Sequence, residues 1–264
     1  MIKILLNGAT GKMGLESVKA IYSDIELELS GVIGRTKNIG EDIGKITLGY
    51  DIGLKVETEI DDFIINKKSD ILLDISNAEA GYKSIIKALN NGLNCVTGST
   101  GFSNKQLEEI KNLTEKNNLT TLVIPNFSIG AVLMMKFSAM AGKYFKDVEI
   151  IEMHHEKKKD APSGTAIKTA EMIKKNNIDY NMVRPDNFET IAGSRGGNIE
   201  NINIHSIRLP GFVATQEVIF GGLGQTLTIK HQTINREAYM EGLIFSLKKV
   251  REVKGYIYGL EDLL

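Results

Sequence analysis

The sequence predicts an α/β chain: a doubly wound parallel sheet, an inserted α+β domain, and a closing helix that returns to the first domain. Three observations carry this. A glycine-rich turn, Asn7-Gly8-Ala9-Thr10-Gly11-Lys12-Met13-Gly14, separates a β-rich run from a segment of helical apolar spacing. Short apolar runs then alternate with amphipathic segments as far as Pro125, the rhythm of parallel strands joined by crossover helices. Beyond Pro125 the runs 202–209, 214–220 and 225–231 read as turn-separated strands of a largely antiparallel sheet. The expected limits are 1–126 with 235–264 for the first domain and 127–234 for the second.

Composition narrows the function classes. An apolar fraction of 42% is enough to bury a core, and a net charge of −1 creates no global field for nucleic acid or an anionic membrane. Cys95 is the only cysteine, which excludes an intramolecular disulfide and a cysteine-based metal site and fits a reducing compartment. The apolar start meets Gly8 with no long hydrophobic region or cleavage pattern. No apolar stretch approaches the roughly 18–20 residues of a membrane span. The expectation is a soluble, cytoplasmic protein.

Along the chain, residues 2–6 form the first strand, and Val18, Ile21 and Tyr22 mark the helix after the glycine turn. Strand, glycine turn, helix is the setting of a dinucleotide pyrophosphate site. Gly8 allows the tight turn, Gly11 the approach of phosphate, and Gly14 the packing of helix on strand. The first domain is therefore Rossmann-like. The spacing is GxxGxxG rather than GxGxxG, so a glycine-rich turn without a ligand stays open as the alternative. Residues 27–33 give the second strand, followed by Gly34-Arg35-Thr36-Lys37. An acid at that place binds the ribose 2′-hydroxyl of NAD, whereas Arg35, Thr36 and Lys37 offer cations and a hydroxyl to the 2′-phosphate of NADP. The cofactor reading is NADPH or NADH, with NADPH favoured, and an exposed basic turn is the alternative.

Residues 71–75 are a continuous apolar run broken only by Asp74, and they end in Ser76-Asn77-Ala78. Tyr82, Ile85, Ile86 and Leu89 form a helix face stopped by Asn91-Gly92. The strand 94–97 runs into Gly98-Ser99-Thr100-Gly101-Phe102. A helix marked by Leu107, Ile110 and Leu113 leads to strand 121–124 and Pro125-Asn126-Phe127-Ser128. In the second domain, 132–145 is a methionine- and alanine-rich core helix, and 148–153 is a strand delivering residues 154–165, HHEKKKDAPSGT. Ala166, Ile167, Ala170 and Ile173 give the next helix its buried face, and 177–197 is polar and irregular. Leu243, Ile244, Leu247 and Val250 mark the closing helix before an apolar tail, 256–264.

The segment 154–165 carries the chemistry. Neighbours in an extended chain point to opposite sides, so His154 and His155 cannot aim at one atom, which argues against a two-histidine metal site. One of them can serve as a proton donor near neutral pH. Of lysines 157, 158 and 159, at most one or two can reach a site. Ser163, Gly164 and Thr165 open a helix whose amides and hydroxyls suit a carboxylate. Together these features suggest hydride transfer, assisted by a general acid, to a small substrate with carboxylates at two ends.

Four motifs, GATGKMG at 8–14, GSTGF at 98–102, PNFSIG at 125–130 and HHEKKKDAPSGTA at 154–166, resemble the 4-hydroxy-tetrahydrodipicolinate reductase (dihydrodipicolinate reductase) family. The resemblance implies NAD(P)H-dependent reduction of 4-hydroxy-tetrahydrodipicolinate to tetrahydrodipicolinate on the diaminopimelate route to lysine. It implies that His154 is the general acid and Lys158 the catalytic lysine, with His155, Lys158, Ser163, Gly164 and Thr165 on the substrate carboxylates. Gly8, Lys12 and Met13 would line the cofactor loop, with Gly98, Thr100, Asn126 and Phe127 near the nicotinamide. It also implies a homotetramer built through the sheet at 202–231. Two departures stand out. Gly34 occupies a position where many members carry an acid, and 213–217 (VATQE) lacks a GEH pattern found in some. The rival readings are another NAD(P)-dependent amino-acid dehydrogenase and a non-catalytic nucleotide-sensing protein.

Overall fold

In the computed structural model, which describes residues 1–66, 68–176 and 188–264, the chain divides into two units. One comprises Met1–Ile129 with Tyr239–Leu264, the other Gly130–Ala238.

The first unit is a parallel sheet of β1 (Ile2–Asn7), β2 (Leu27–Ile33), β3 (Val56–Glu57), β4 (Ile71–Asp74), β5 (Asn94–Thr97), β6 (Thr120–Val123) and a C-terminal strand, Gly255–Tyr258. The spatial order is C-terminal strand, β6, β5, β4, β1, β2, β3. Every pairing is parallel. Strands β4 and β6 are buried at every position, as strands covered on both faces must be. Helices α1 (Lys12–Ser23), α2 (Ile43–Thr47), α3 (Asp61–Ile65), α4 (Ala78–Asn90) and α5 (Asn104–Lys116) connect them, and the closing helix Met240–Lys249 belongs to the same unit. Chain order reverses between β1 and β4, and in such sheets ligands bind outside the carboxyl ends of the strands at that point.

Two features here differ from the expectation. The apolar tail supplies the seventh strand of this sheet: Gly255, at φ +85°, turns the chain so that Tyr256 and Ile257 pair with Thr121 and Leu122. The stretch between β2 and β4, where no element is expected from the sequence, holds α2, β3 and α3, elements of two to five residues that are too short to show a period.

Glycine at 14 is a packing requirement. A Cβ there would stand 2.2 Å from the Gly8 carbonyl oxygen and 2.4 Å from that of Ala9. Both are backbone atoms that cannot rotate aside. Gly14→Ala is therefore expected to cost about 3 kcal/mol. The loss would be read as a lowered urea midpoint at unchanged slope, and a midpoint equal to the parent's would disprove this packing role.

The second unit contains helix α6 (Ile129–Ala141) from its second residue on, β7 (Asp147–His154), α7 (Gly164–Asn176), β8 (Gly197–Ile199), β9 (Ile202–Arg208), β10 (Ala214–Gly222) and β11 (Gln225–Thr233). The strand order is β11, β10, β7, β9, β8. The sheet is largely antiparallel, as expected, and β10 and β11 are neighbours in it, but β9 is not next to β10. β7 lies between β10 and β9, and it pairs parallel with β9. A parallel pair needs a crossover connection, and the chain between β7 and β9 carries α7 and then β8, which runs antiparallel to β9. The other pairings are antiparallel.

Val148, Ile150, Ile202, Ile204, Val218 and Phe220 pack with Ala166, Ala170 and Ile173 of α7. The opposite face of the sheet presents Glu149, Ile151, Met153, His205, Ile207 and Ile219, all half-buried. Of the segment read as irregular, 177–187 lie outside the described residues. From 188 onward the chain is organised by Glu189, whose carboxylate accepts the amides of Gly193 (2.7 Å) and Arg195 (3.0 Å). Among the described residues no helix is long and apolar enough to cross a membrane.

Candidate active site

In the first unit, four strand ends carry the residues singled out for a cofactor. Gly8 follows β1 at φ +91°, where a Cβ would come within 2.8 Å of the Ile75 carbonyl oxygen. The amides of Gly8 and Ala9 both donate to the Ile33 carbonyl at 3.0 Å, tying the turn to the end of β2. Gly11 caps α1 without any side-chain acceptor, and no acid stands in the first turn. The opening amides at Lys12 and Met13, which an α-helix leaves without internal carbonyl partners, are thus suited to an anion. This cradle fits a dinucleotide pyrophosphate. Gly98 follows β5 against the Phe127 ring, which a Cβ at 98 would approach to 2.6 Å. Phe127 is buried, and the Asn126 side chain accepts the Ser128 amide at 2.9 Å. Thr100 is exposed, as is Arg35 just beyond β2. At Gly34 a Cβ would lie 2.7 Å from Val56 Cγ1 and 3.1 Å from Thr10 Cγ2, so a side chain there would crowd both.

Asp74, which sequence inspection noted only as a break in an apolar run, is the hub of this edge. It is fully buried. Its carboxylate accepts from Asn7 Nδ2 (2.9 Å), Ser76 Oγ (2.6 Å), Thr97 Oγ1 (2.9 Å) and Ser99 Oγ (2.6 Å). Four donors compensate the burial of one charge, and they clamp the ends of β1, β4 and β5 together.

In the second unit, β7 places Glu152 and His154 two residues apart, hence on one face. Glu152 is fully buried. Its Oε2 lies 2.5 Å from His154 Nδ1 and accepts Arg208 Nη1 at 2.9 Å; its Oε1 accepts Arg208 Nη2 at 2.8 Å and the Ser163 amide at 3.2 Å. Burial alone would raise the Glu152 pKa, but hydrogen bonds from His154, Arg208 and Ser206 outweigh it and bring it down to about 2. Glu152 is therefore ionised throughout the working range. Arg208 also donates to the carbonyls of Ile207 and Asp160, each at 2.7 Å.

Ser163 caps α7: its Oγ accepts the Ala166 amide at 3.2 Å. Its own amide is committed to Glu152, so what it can offer a ligand is the hydroxyl proton. A Cβ at Gly164 would meet nothing within 4 Å, leaving open space beside the first amides of the helix. Of the three lysines, 157 and 159 are exposed, and Lys158 is half-buried with Nζ 2.9 Å from both carboxylate oxygens of Asp160. His155 contributes its carbonyl to the Lys158 amide at 3.1 Å. His205 faces the other way, with Nε2 2.8 Å from Glu149. Among the described residues no group of three His, Cys, Asp or Glu side chains could hold a metal ion.

Glu152 and Arg208 escaped sequence inspection. The signal was a charge in the inward stripe Val148, Ile150, Glu152, matched by an opposite charge at the end of β9; the parallel register of β7 and β9 brings the two strand ends together.

Comparison with known proteins bears on both units. Family models described as "Dihydrodipicolinate reductase, N-terminus" and "Dihydrodipicolinate reductase, C-terminus" match residues 2–127 and 130–264. A 4-hydroxy-tetrahydrodipicolinate reductase of Carboxydothermus hydrogenoformans is 46% identical over 100% of both chains. One from Dictyoglomus turgidum is 46% identical over 100% of this chain and 98% of its own. A dipicolinate-bound dihydrodipicolinate reductase structure from Paenisporosarcina sp. TG-14 superposes with a TM-score of 0.88 at 39% identity, covering 100% of each chain. An amine dehydrogenase from Mycobacterium smegmatis shares the fold alone, with a TM-score of 0.67 at 12% identity.

Proposed function

The chain belongs to the dihydrodipicolinate reductase family, and from that premise we propose that it reduces 4-hydroxy-tetrahydrodipicolinate to tetrahydrodipicolinate on the diaminopimelate route to lysine. The observation that carries this reading is the second unit's constellation: a histidine held by a buried carboxylate, a half-buried lysine, and a capped helix start open to an anion. A two-ended dicarboxylate is the ligand such a set recognises, and the relative from Paenisporosarcina is described as bound to dipicolinate, a compound of that class.

The glycine turn at Gly8, Gly11, Lys12 and Met13 holds the pyrophosphate of a nicotinamide dinucleotide, with Gly98, Thr100, Asn126 and Phe127 toward its nicotinamide. When bound, that cofactor supplies the hydride, which goes to the ring carbon that bore the hydroxyl lost as water. NADPH is favoured over NADH because Arg35, Thr36 and Lys37 present cations and a hydroxyl, while position 34 carries no acid for a ribose 2′-hydroxyl. His154 delivers the proton. Lys158 together with His155, Ser163, Gly164 and Thr165 holds the carboxylates. The sheet face of Ile151, Met153, Ile207 and Ile219 supports assembly into a homotetramer through the 202–231 region, and the cytoplasm is the expected compartment.

The test is absorbance at 340 nm with freshly made substrate and NADH or NADPH in parallel. Oxidation of both, faster with NADPH, is expected. No oxidation of either would refute the activity, and a clear NADH preference would refute the role given to residues 35–37.

A further inference from the structure

We propose that Glu152, held by Arg208, is a positioning residue that fixes which nitrogen of His154 carries the transferable proton. The proposal rests on the reading of His154 as proton donor and adds a residue and a mechanism to it.

A carboxylate gripped by both terminal nitrogens of an arginine has no proton to donate, so at 2.5 Å it can only accept from Nδ1 of His154. Nδ1 must therefore carry a hydrogen in every protonation state of the ring. That leaves Nε2, on the far side of the imidazole, as the nitrogen that gains and loses the working proton. The ionised state of Glu152 is part of the device, since a protonated acid could offer Nδ1 a hydrogen and permit the other tautomer. Burial of Glu152 favours that outcome, and Arg208 prevents it.

The same carboxylate sets a second distance. Its Oε1 accepts the Ser163 amide, and Arg208 holds the Asp160 carbonyl. One buried ion pair thus orients the histidine and anchors both ends of the short turn that leads into the helix start. Neither Glu152 nor Arg208 is an exposed surface charge: their side chains are 0% and 18% accessible.

Glu152→Gln is the decisive variant. The glutamine is nearly isosteric, but its NH2 group is a donor where a carboxylate oxygen was an acceptor. Placed beside Nδ1 it favours a ring with hydrogen on Nε2 only. By the logic that holds for a histidine oriented by a carboxylate in other enzymes, kcat should fall by about 10²-fold or more while KM moves by less than about 3-fold. In a His154→Gln background the same change should lower kcat by no more than about 2-fold, because the residue it acts through is already gone.

Nitrogen-15 spectra of the histidine-labelled full-length protein, with His154 assigned by its absence in His154→Gln, should show a hydrogen on Nδ1 at high pH in the parent and on Nε2 in Glu152→Gln. If Glu152→Gln does not fold, the parent spectrum still decides, since a parent ring protonated on Nε2 alone overturns the proposal. Equal losses from Glu152→Gln in the parent and His154→Gln backgrounds overturn it as well. Full turnover by His154→Gln itself would instead overturn the role of His154 as donor; the tautomer switch, if seen, would still establish that Glu152 positions the ring.

Discussion

Replacing His154 by glutamine is expected to lower kcat by roughly 10²–10⁴-fold, the range that loss of a general acid produces. The substitution suits this site because the amide NH2 of glutamine can still donate to the buried Glu152 carboxylate, which otherwise would lose one of its partners. The fold should therefore survive with its thermal midpoint close to the parent's. What disappears is the titratable proton. Because that proton is delivered only as the hydride arrives, kcat and kcat/KM should fall by similar factors, and dipicolinate should bind about as tightly as before. Steady-state rates at 340 nm with calorimetric titration of dipicolinate check all three points. Near-parent turnover would remove His154 from the chemistry. A fall confined to kcat/KM with weakened dipicolinate binding would make it a substrate ligand instead.

The residues behind that expectation were unequally visible in the sequence. Residues 154–165 stood out because histidines, lysines and a small-residue helix start are crowded into one strand-to-helix connection, and such local patterns need no knowledge of pairing. The glycine turn at 8–14 was legible for the same reason. Glu152 and Arg208 were not. Each is a single charge in an alternating strand, where a charge ordinarily faces water. Only the parallel pairing of β7 with β9 sets them side by side, and the two residues are 56 positions apart in the chain. Asp74 was hidden in another way. An acid inside an apolar run reads as a defect until the donors from Asn7, Thr97 and Ser99 are seen around it, and those come from neighbouring strands far along the chain. The C-terminal strand was missed because Gly255–Tyr258 is short, and its partner β6 lies more than a hundred residues earlier. In each case the missing information was register between strands, which is a property of the folded sheet.

Lys158→Ala is expected to cause a loss of the same order, roughly 10²–10⁴-fold in kcat, if its ammonium stabilises charge that develops during the reaction. The structure adds a complication that the sequence did not show. The ammonium sits between both oxygens of Asp160, and it holds the Asp160 carboxyl below the usual carboxylate range. Asp160 is largely exposed, and an ion pair whose carboxylate stays open to water contributes little to stability. A substrate carboxylate can therefore take the place of Asp160 at little cost, and the lysine alone should matter little to the fold.

Removing the lysine has a second consequence, because Asp160 then faces the dicarboxylate as an unneutralised like charge and KM should rise as well. The double variant Lys158→Ala/Asp160→Ala separates the two effects. Relief of repulsion should bring KM back toward the parent value, whereas kcat should stay low because the cation is still missing. Recovery of kcat in the double variant would mean that the single variant failed through Asp160, and Lys158 would then be a shield for that carboxylate and not a participant in the reaction.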